Sequence, residues 1–149
     1  MTLGNILRPE SILESLEARD AAEIVQALAK ALPVPESCRE EIARSALAPK
    51  SGVYKRTDHG SALLCGSADG ISGPALAIAR LAPPNNAAGR EKKTTGFAFL
   101  LAVSRENISG HLYPLSALSQ ISGRKGLLRA LSEARTREDL HGLLAGVPL

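Results

Sequence analysis

The chain offers few side chains that could act as nucleophiles, so its cysteines and histidines are the natural starting point. There are two cysteines, Cys38 and Cys65, and three histidines. Cys65 lies in the stretch GSALLCGS, residues 60–67, where small and aliphatic residues predict a strand ending in a polar, exposed segment. A reactive thiol there requires a pKa below its free value of roughly 8.5. A lone cysteine is more often a small packing residue, so this pattern favours a partly buried, unreactive Cys65.

Metal and disulfide chemistry find no support in the spacing of these residues. No cysteine or histidine stands at metal-ligand spacing, and two cysteines do not make a disulfide framework. Gly66, Gly70 and Gly73 follow a predicted strand without opening a helix, so they do not form a phosphate-binding glycine loop. We therefore expect neither a metal ion nor an organic cofactor.

Composition limits the class of protein. The 149 residues are 44% hydrophobic and 22% charged, which predicts one ordinary soluble domain spanning residues 1–149. The net charge of +3 comes from scattered basic residues, and only 3% of residues are aromatic, so we expect no nucleic-acid partner. The longest apolar run, GFAFLLAV, is too short to span a bilayer, and the first residues lack a basic region followed by an apolar run, which predicts a cytoplasmic protein without membrane insertion.

The hydrophobic pattern then indicates which elements position Cys65. Apolar residues at helical spacing predict a helix between Asp20 and Leu32, and a second helix buries Cys38 and starts from a capping pattern at Ser37. Strands are predicted at residues 61–65, at ALAIARL and at GFAFLLAVS, the last apolar on both faces and so central in its sheet. Helices follow, the last of them beginning at Thr136. This order predicts an α/β sandwich with helices packed on a sheet.

The order and spacing of four segments resemble the IIA domains of the bacterial phosphotransferase system, in the fructose/mannitol and nitrogen-regulatory branch. The opening ILRPESILESLEARDAAEIVQALAKAL resembles that family's first strand and helix. GSALLCGS stands at its "GvAiPHgr" signature, ALAIARLAPP at the following strand and HLYPLSALSQI at its "HL" helix. The resemblance covers the chain from about Leu7 to Leu144. It implies an αβα sandwich whose central mixed β-sheet has about five strands.

The resemblance also assigns roles to individual positions. In the family, a histidine in the signature accepts a phosphoryl group from the histidine carrier protein HPr and passes it to a IIB partner or keeps it as a regulatory mark. Here Cys65 replaces that histidine, whereas His111 matches the second family histidine, which helps to hold the phosphoryl group. His59 is the one local rival acceptor. Lys55 or Arg56 is the candidate charge partner of the phosphate.

Three functions follow as hypotheses. The first is a regulatory or adaptor module that acts through HPr-like or regulatory target proteins, without histidine phosphotransfer; whether it is a monomer or a homodimer is left open at this point. The second is a phosphocarrier that accepts phosphate on Cys65, or less favourably on His59. The third is a thiol redox switch at Cys65, which requires an exposed thiol with a low pKa. Because no transporter or IIB segment is fused to the chain, the nitrogen-regulatory branch is favoured.

Overall fold

The structure, a computed structural model, describes residues 2–48, 55–56, 61–85, 95–106, 112–122 and 124–148. A short 3-10 helix, Leu3–Asn5, precedes the regular elements. In chain order these are β1 (Leu7–Leu16), α1 (Ala21–Ala31), α2 (Glu36–Leu47), β2 (Lys55–Arg56), β3 (Ser61–Ala68), β4 (Ala75–Asn85), β5 (Thr95–Ser104), α3 (Leu112–Ser122), α4 (Lys125–Glu133) and α5 (Arg137–Ala145).

The five strands form one mixed sheet in the order β1-β4-β5-β3-β2. The pairs β1/β4 and β3/β5 are parallel, whereas β4/β5 and β2/β3 are antiparallel. β5 occupies the centre, as its two apolar faces predict. One apolar cluster lies between the sheet and α1 and α2, and a second lies between the sheet and α3 to α5. The αβα sandwich predicted from the resemblance is therefore confirmed.

Two of the three predicted helix starts agree with the structure. The side chain of Asp20 accepts a hydrogen bond from the Glu23 amide at 2.8 Å, and the hydroxyl of Thr136 accepts one from the Asp139 amide at 3.1 Å. The predicted capping at Ser37 is wrong. Helix α2 starts at Glu36, two residues before the start that a cap at Ser37 implies, and its cap residue Pro35 makes no side-chain cap hydrogen bond. Because proline fixes φ near the helical value, the helix can begin directly after it.

The predicted strands are shorter than those of the structure. β3 extends past Cys65 to Ala68 because it pairs with β5 along its whole length, from Ser61 opposite Phe97 to Ala68 opposite Ser104. β4 extends beyond the predicted ALAIARL segment through Pro83 and Pro84 to Asn85. The two prolines lie where the ladder is irregular, between the pairs Arg80–Phe97 and Asn85–Thr95, so their missing N–H groups break no regular pairing.

Candidate functional site

Cys65 lies within β3, directly opposite Leu101 on the central strand. Its side chain belongs to the apolar cluster under α3 to α5 and is only 7% exposed. Burial raises the pKa of the Cys65 thiol to about 11, because the charged thiolate loses its hydration there. The polar, exposed end that the sequence predicts after Cys65 is therefore wrong: the strand continues, and the cysteine is a core residue.

This burial determines what the thiol can do chemically. Because burial raises its pKa to about 11, the Cys65 thiol is almost entirely protonated at pH 7. The thiolate is the species that attacks phosphorus, disulfides and peroxides, so the folded protein presents almost none of it. Burial raises the pKa of Cys65, whereas a phosphate acceptor or a redox switch requires a thiol whose pKa is lowered.

Cys38 is a core residue, as its place on a predicted helix face indicates. It is buried in the first turn of α2, and its thiol donates a hydrogen bond to the carbonyl oxygen of Asp69 at 3.2 Å. Cys38 and Cys65 belong to the clusters on opposite faces of the sheet. The sheet therefore separates the two thiols, and no disulfide joins them.

Helix α2 fixes the part of β3 that follows Cys65. A Cβ atom at Gly66 would overlap the carbonyl oxygen of Ile42 and lie 2.9 Å from its Cγ2, so only glycine allows this approach. The Ser67 amide donates a hydrogen bond to Ser45 Oγ at 2.8 Å. Gly66 and Ser67, which follow Cys65, are therefore held against α2 by close backbone packing and by a hydrogen bond to a side chain.

A groove opens at the end of the sheet where β3 and β5 finish and β4 begins. It encloses about 450 Å³ and is lined by residues 71–74, Val103, Ser104 and Glu106; we call it the Glu106 groove. Val103, which lines the groove, belongs to the same apolar cluster as Cys65. Gly70, in the turn just before groove residues 71–74, has φ +88°, a backbone conformation that favours glycine.

Arg105 organises the charges beside this groove. Its guanidinium forms ion pairs with Glu41 of α2 and, at 3.5 Å, with Asp69 of the turn after β3. Three separate elements meet in this network. Its residues are far apart in sequence and show no regular spacing, so this network is not predictable from the sequence alone.

The predicted phosphate-binding residues are only partly placed. Lys55 and Arg56 form β2, where they pair with Leu63 and Ala62 of β3, so the backbone of Lys55 runs beside the strand of Cys65. His59 and His111 lie outside the described residues. His141 is half-buried, and its Nε2 lies 3.0 Å from the carbonyl oxygen of Leu7.

Two further features of the described part of the chain bear on its chemistry. Within it, no group of three or more histidine, cysteine, aspartate or glutamate side chains could hold a metal ion. None of the helices in the same ranges has the length and apolar character needed to cross a membrane.

Comparison with known proteins rests on structure alone, because no family model and no curated protein sequence matches the chain. Nitrogen regulatory protein IIA-Ntr from Neisseria meningitidis has a TM-score of 0.74 at 20% identity, over 96% of this chain and 99% of that one. IIA mannitol from Escherichia coli has a TM-score of 0.68 at 14% identity, over 93% and 98%. The same enzyme in complex with phosphorylated IIB mannitol has a TM-score of 0.71 at 14% identity, over 95% and 99%. The chain therefore has the fold of phosphotransferase-system IIA domains.

Proposed function

We propose that this protein is a IIA-like regulatory module that acts by binding other proteins and does not carry a phosphoryl group. The observation that carries the proposal is the state of Cys65. It stands at the acceptor position of the family signature, is 7% exposed, and has a pKa raised to about 11 by burial. A neutral, buried thiol is a poor phosphate acceptor and a poor redox sensor.

The structural neighbours support protein partners for this chain. One of them is a nitrogen regulatory protein, and another is solved in complex with a protein, phosphorylated IIB mannitol. By analogy, the partners of this protein are HPr-like phosphocarriers or regulatory target proteins in the cytoplasm, and its role belongs to nitrogen regulation. The docking site is the end of the sheet that carries the Glu106 groove, whose lining residue Val103 belongs to the same apolar cluster as Cys65.

Intact mass after incubation with a phosphoryl donor system tests this proposal. The purified protein is mixed with phosphoenolpyruvate, enzyme I and HPr, and compared with the variants Cys65→Ala and His111→Ala. We expect no sample to gain the mass of a phosphate. IIA mannitol in a parallel reaction is the positive control, which establishes that HPr is charged and can deliver its phosphoryl group.

The variants separate the alternative functions from one another. A phosphate gained by the wild type and lost in Cys65→Ala would overturn the proposal in favour of a cysteine phosphocarrier. Loss in His111→Ala alone would move the acceptor to that histidine, and retention in both variants would direct attention to His59. In the same samples, rapid alkylation of folded Cys65 at neutral pH would instead favour a thiol switch.

A further inference from the structure

The turn after β3 separates two grooves at the same end of the sheet. On one side of residues 71–74 lies the Glu106 groove. On the other side a second groove of about 230 Å³ is lined by residues 70–75, 33–35 and the side chains of Asn5, Ile6 and Arg8; we call it the Arg8 groove. The two grooves share residues 71–74 as a common wall, so a partner that covers this wall contacts both.

Arg8 lies in a bulge of β1 and lines the Arg8 groove. The pairs Leu7–Leu76 and Ile12–Ile78 enclose five steps along β1 but only two along β4, which leaves three extra residues in β1 (5 − 2 = 3). Ser11 Oγ donates a hydrogen bond to the carbonyl oxygen of Ala31 at 2.7 Å and so fastens the bulge to the end of α1. Bulges re-aim side chains in this way and are frequent beside functional surfaces.

The two grooves carry opposite and unpaired charges. Arg8 and Glu106 are both exposed, and neither side chain forms an ion pair with another described residue. The nearest cation to Glu106 in sequence, Arg105, is already engaged by Glu41 and Asp69. Among the residues that the structure describes, a cation without an ion-pair partner therefore lies on one side of the shared wall, and a carboxylate without one lies on the other.

We propose that this end of the sheet docks a second copy of the chain, with Arg8 of one protomer paired with Glu106 of the partner subunit. A two-fold axis through residues 71–74 makes this pair twice, because in an isologous interface each contact recurs by symmetry. Because the two copies are identical, Arg8 and Glu106 of the partner subunit are as far apart as Arg8 and Glu106 of the first protomer. The half-buried Val34 and Pro74, with the exposed Pro33 and Pro35, supply apolar area beside the charges.

This dimer gives the module a means of regulation, an inference that rests on the proposed function. The interface covers the Glu106 groove, so a protomer in the dimer cannot also dock a regulatory partner there. Self-association and partner docking then compete, and the fraction of free docking sites falls as the protein concentration rises.

Sedimentation velocity over a series of protein concentrations, at low and physiological salt, tests the interface. The samples are the wild type, Arg8→Glu, Glu106→Arg and the double variant that carries both changes. We expect a wild-type dimer that is stronger at low salt, and at least about a 10-fold weaker dimerisation in each single variant, because each reversal replaces two attractive pairs by two repulsive ones. The double variant restores both pairs and regains the dimer.

Glu138→Arg provides the matched control, because Glu138 is exposed on α5 and lines neither groove. This variant should dimerise like the wild type. A wild type that stays monomeric throughout, a dimer insensitive to the single reversals, or a double variant that folds but stays monomeric would each overturn the interface. Phosphorylation by HPr would overturn the proposed function without changing any of these sedimentation results, so the two failures are distinguishable.

Discussion

Cys65 shows that the sequence position of a cysteine does not determine the reactivity of its thiol in the folded protein. The position after the aliphatic run of β3 matches a phosphate acceptor by resemblance, but the side chain faces the apolar cluster under α3 to α5. Its reactivity is set by burial, which depends on helices more than 40 residues further along the chain. Local sequence therefore identified the residue, while its environment could only come from the tertiary structure.

The raised pKa of Cys65 predicts a specific pH dependence of stability. Because burial raises its pKa from about 9 to about 11, the folded state holds the thiol proton more tightly than the unfolded state does. The resulting stabilisation is complete below pH 9 and is lost as the pH rises through 11, at up to about 1.4 kcal/mol per pH unit. Urea unfolding of the wild type and of Cys65→Ala between pH 8 and pH 11 should give a steeper decline for the wild type.

The comparison between the two proteins is the control, because lysines and tyrosines titrate in both and cancel. Equal slopes for the wild type and Cys65→Ala would mean that the thiol is as solvated in the folded state as in the unfolded chain. That result would remove the main support for an unreactive Cys65.

At the scale of elements, the contact between α2 and β3 determines how the strand beyond Cys65 is held. Gly66→Ala forces a methyl group against the backbone of Ile42, which cannot retreat without moving the helix. We expect a loss of about 2 kcal/mol in the free energy of unfolding, as is typical of overpacking. Urea denaturation measures it.

Gly142→Ala is the matched control. Gly142 lies within α5, and a Cβ there meets nothing within 4 Å, so alanine should stabilise the protein by about 0.5–1 kcal/mol through its higher helix propensity. If Gly66→Ala were as stable as the wild type, the close packing of α2 on β3 would be wrong.

Particular elements also explain which parts of the fold the sequence could predict. The helix starts at Asp20 and Thr136 were predictable because each depends on a side chain and an amide three residues apart. The full length of β3 was not, because pairing with β5 overrides the glycine at its centre. Arg80 is a further example: its guanidinium donates to the carbonyl oxygen of Glu14 at 2.9 Å and also to carbonyls of Leu131 and Ala134, which no local pattern links.

The candidate site follows the same rule at the scale of the whole molecule. Cys65 and the residues of β2 were identified from their order along the chain. The fold brings five separate segments of the chain to one end of the sheet, where they form the Glu106 groove, the Arg8 groove and the Arg105 network. Their proximity arises from the mixed topology, in which the ends of β3 and β5 meet the starts of β1 and β4.

The central strand couples the two halves of the sandwich. Along β5, Ala98, Leu100 and Ala102 belong to the cluster under α1 and α2, whereas Phe97, Phe99, Leu101 and Val103 belong to the cluster under α3 to α5. Neither helix layer can leave the sheet without exposing one face of this strand. We therefore expect both layers to unfold together in one transition, as the prediction of a single domain requires.

Two substitutions, one in each layer, test this coupling. Ile24 of α1 and Leu118 of α3 are both fully buried, on opposite sides of the sheet. Ile24→Ala and Leu118→Ala should each lower the free energy of unfolding by about 3 kcal/mol. In each variant, thermal unfolding followed by circular dichroism and by calorimetry should show one transition with the same midpoint temperature. A biphasic transition in either variant, with one helix layer lost before the other, would show that the layers unfold independently. The weakened layer would then have melted while β5 and the opposite layer stayed folded.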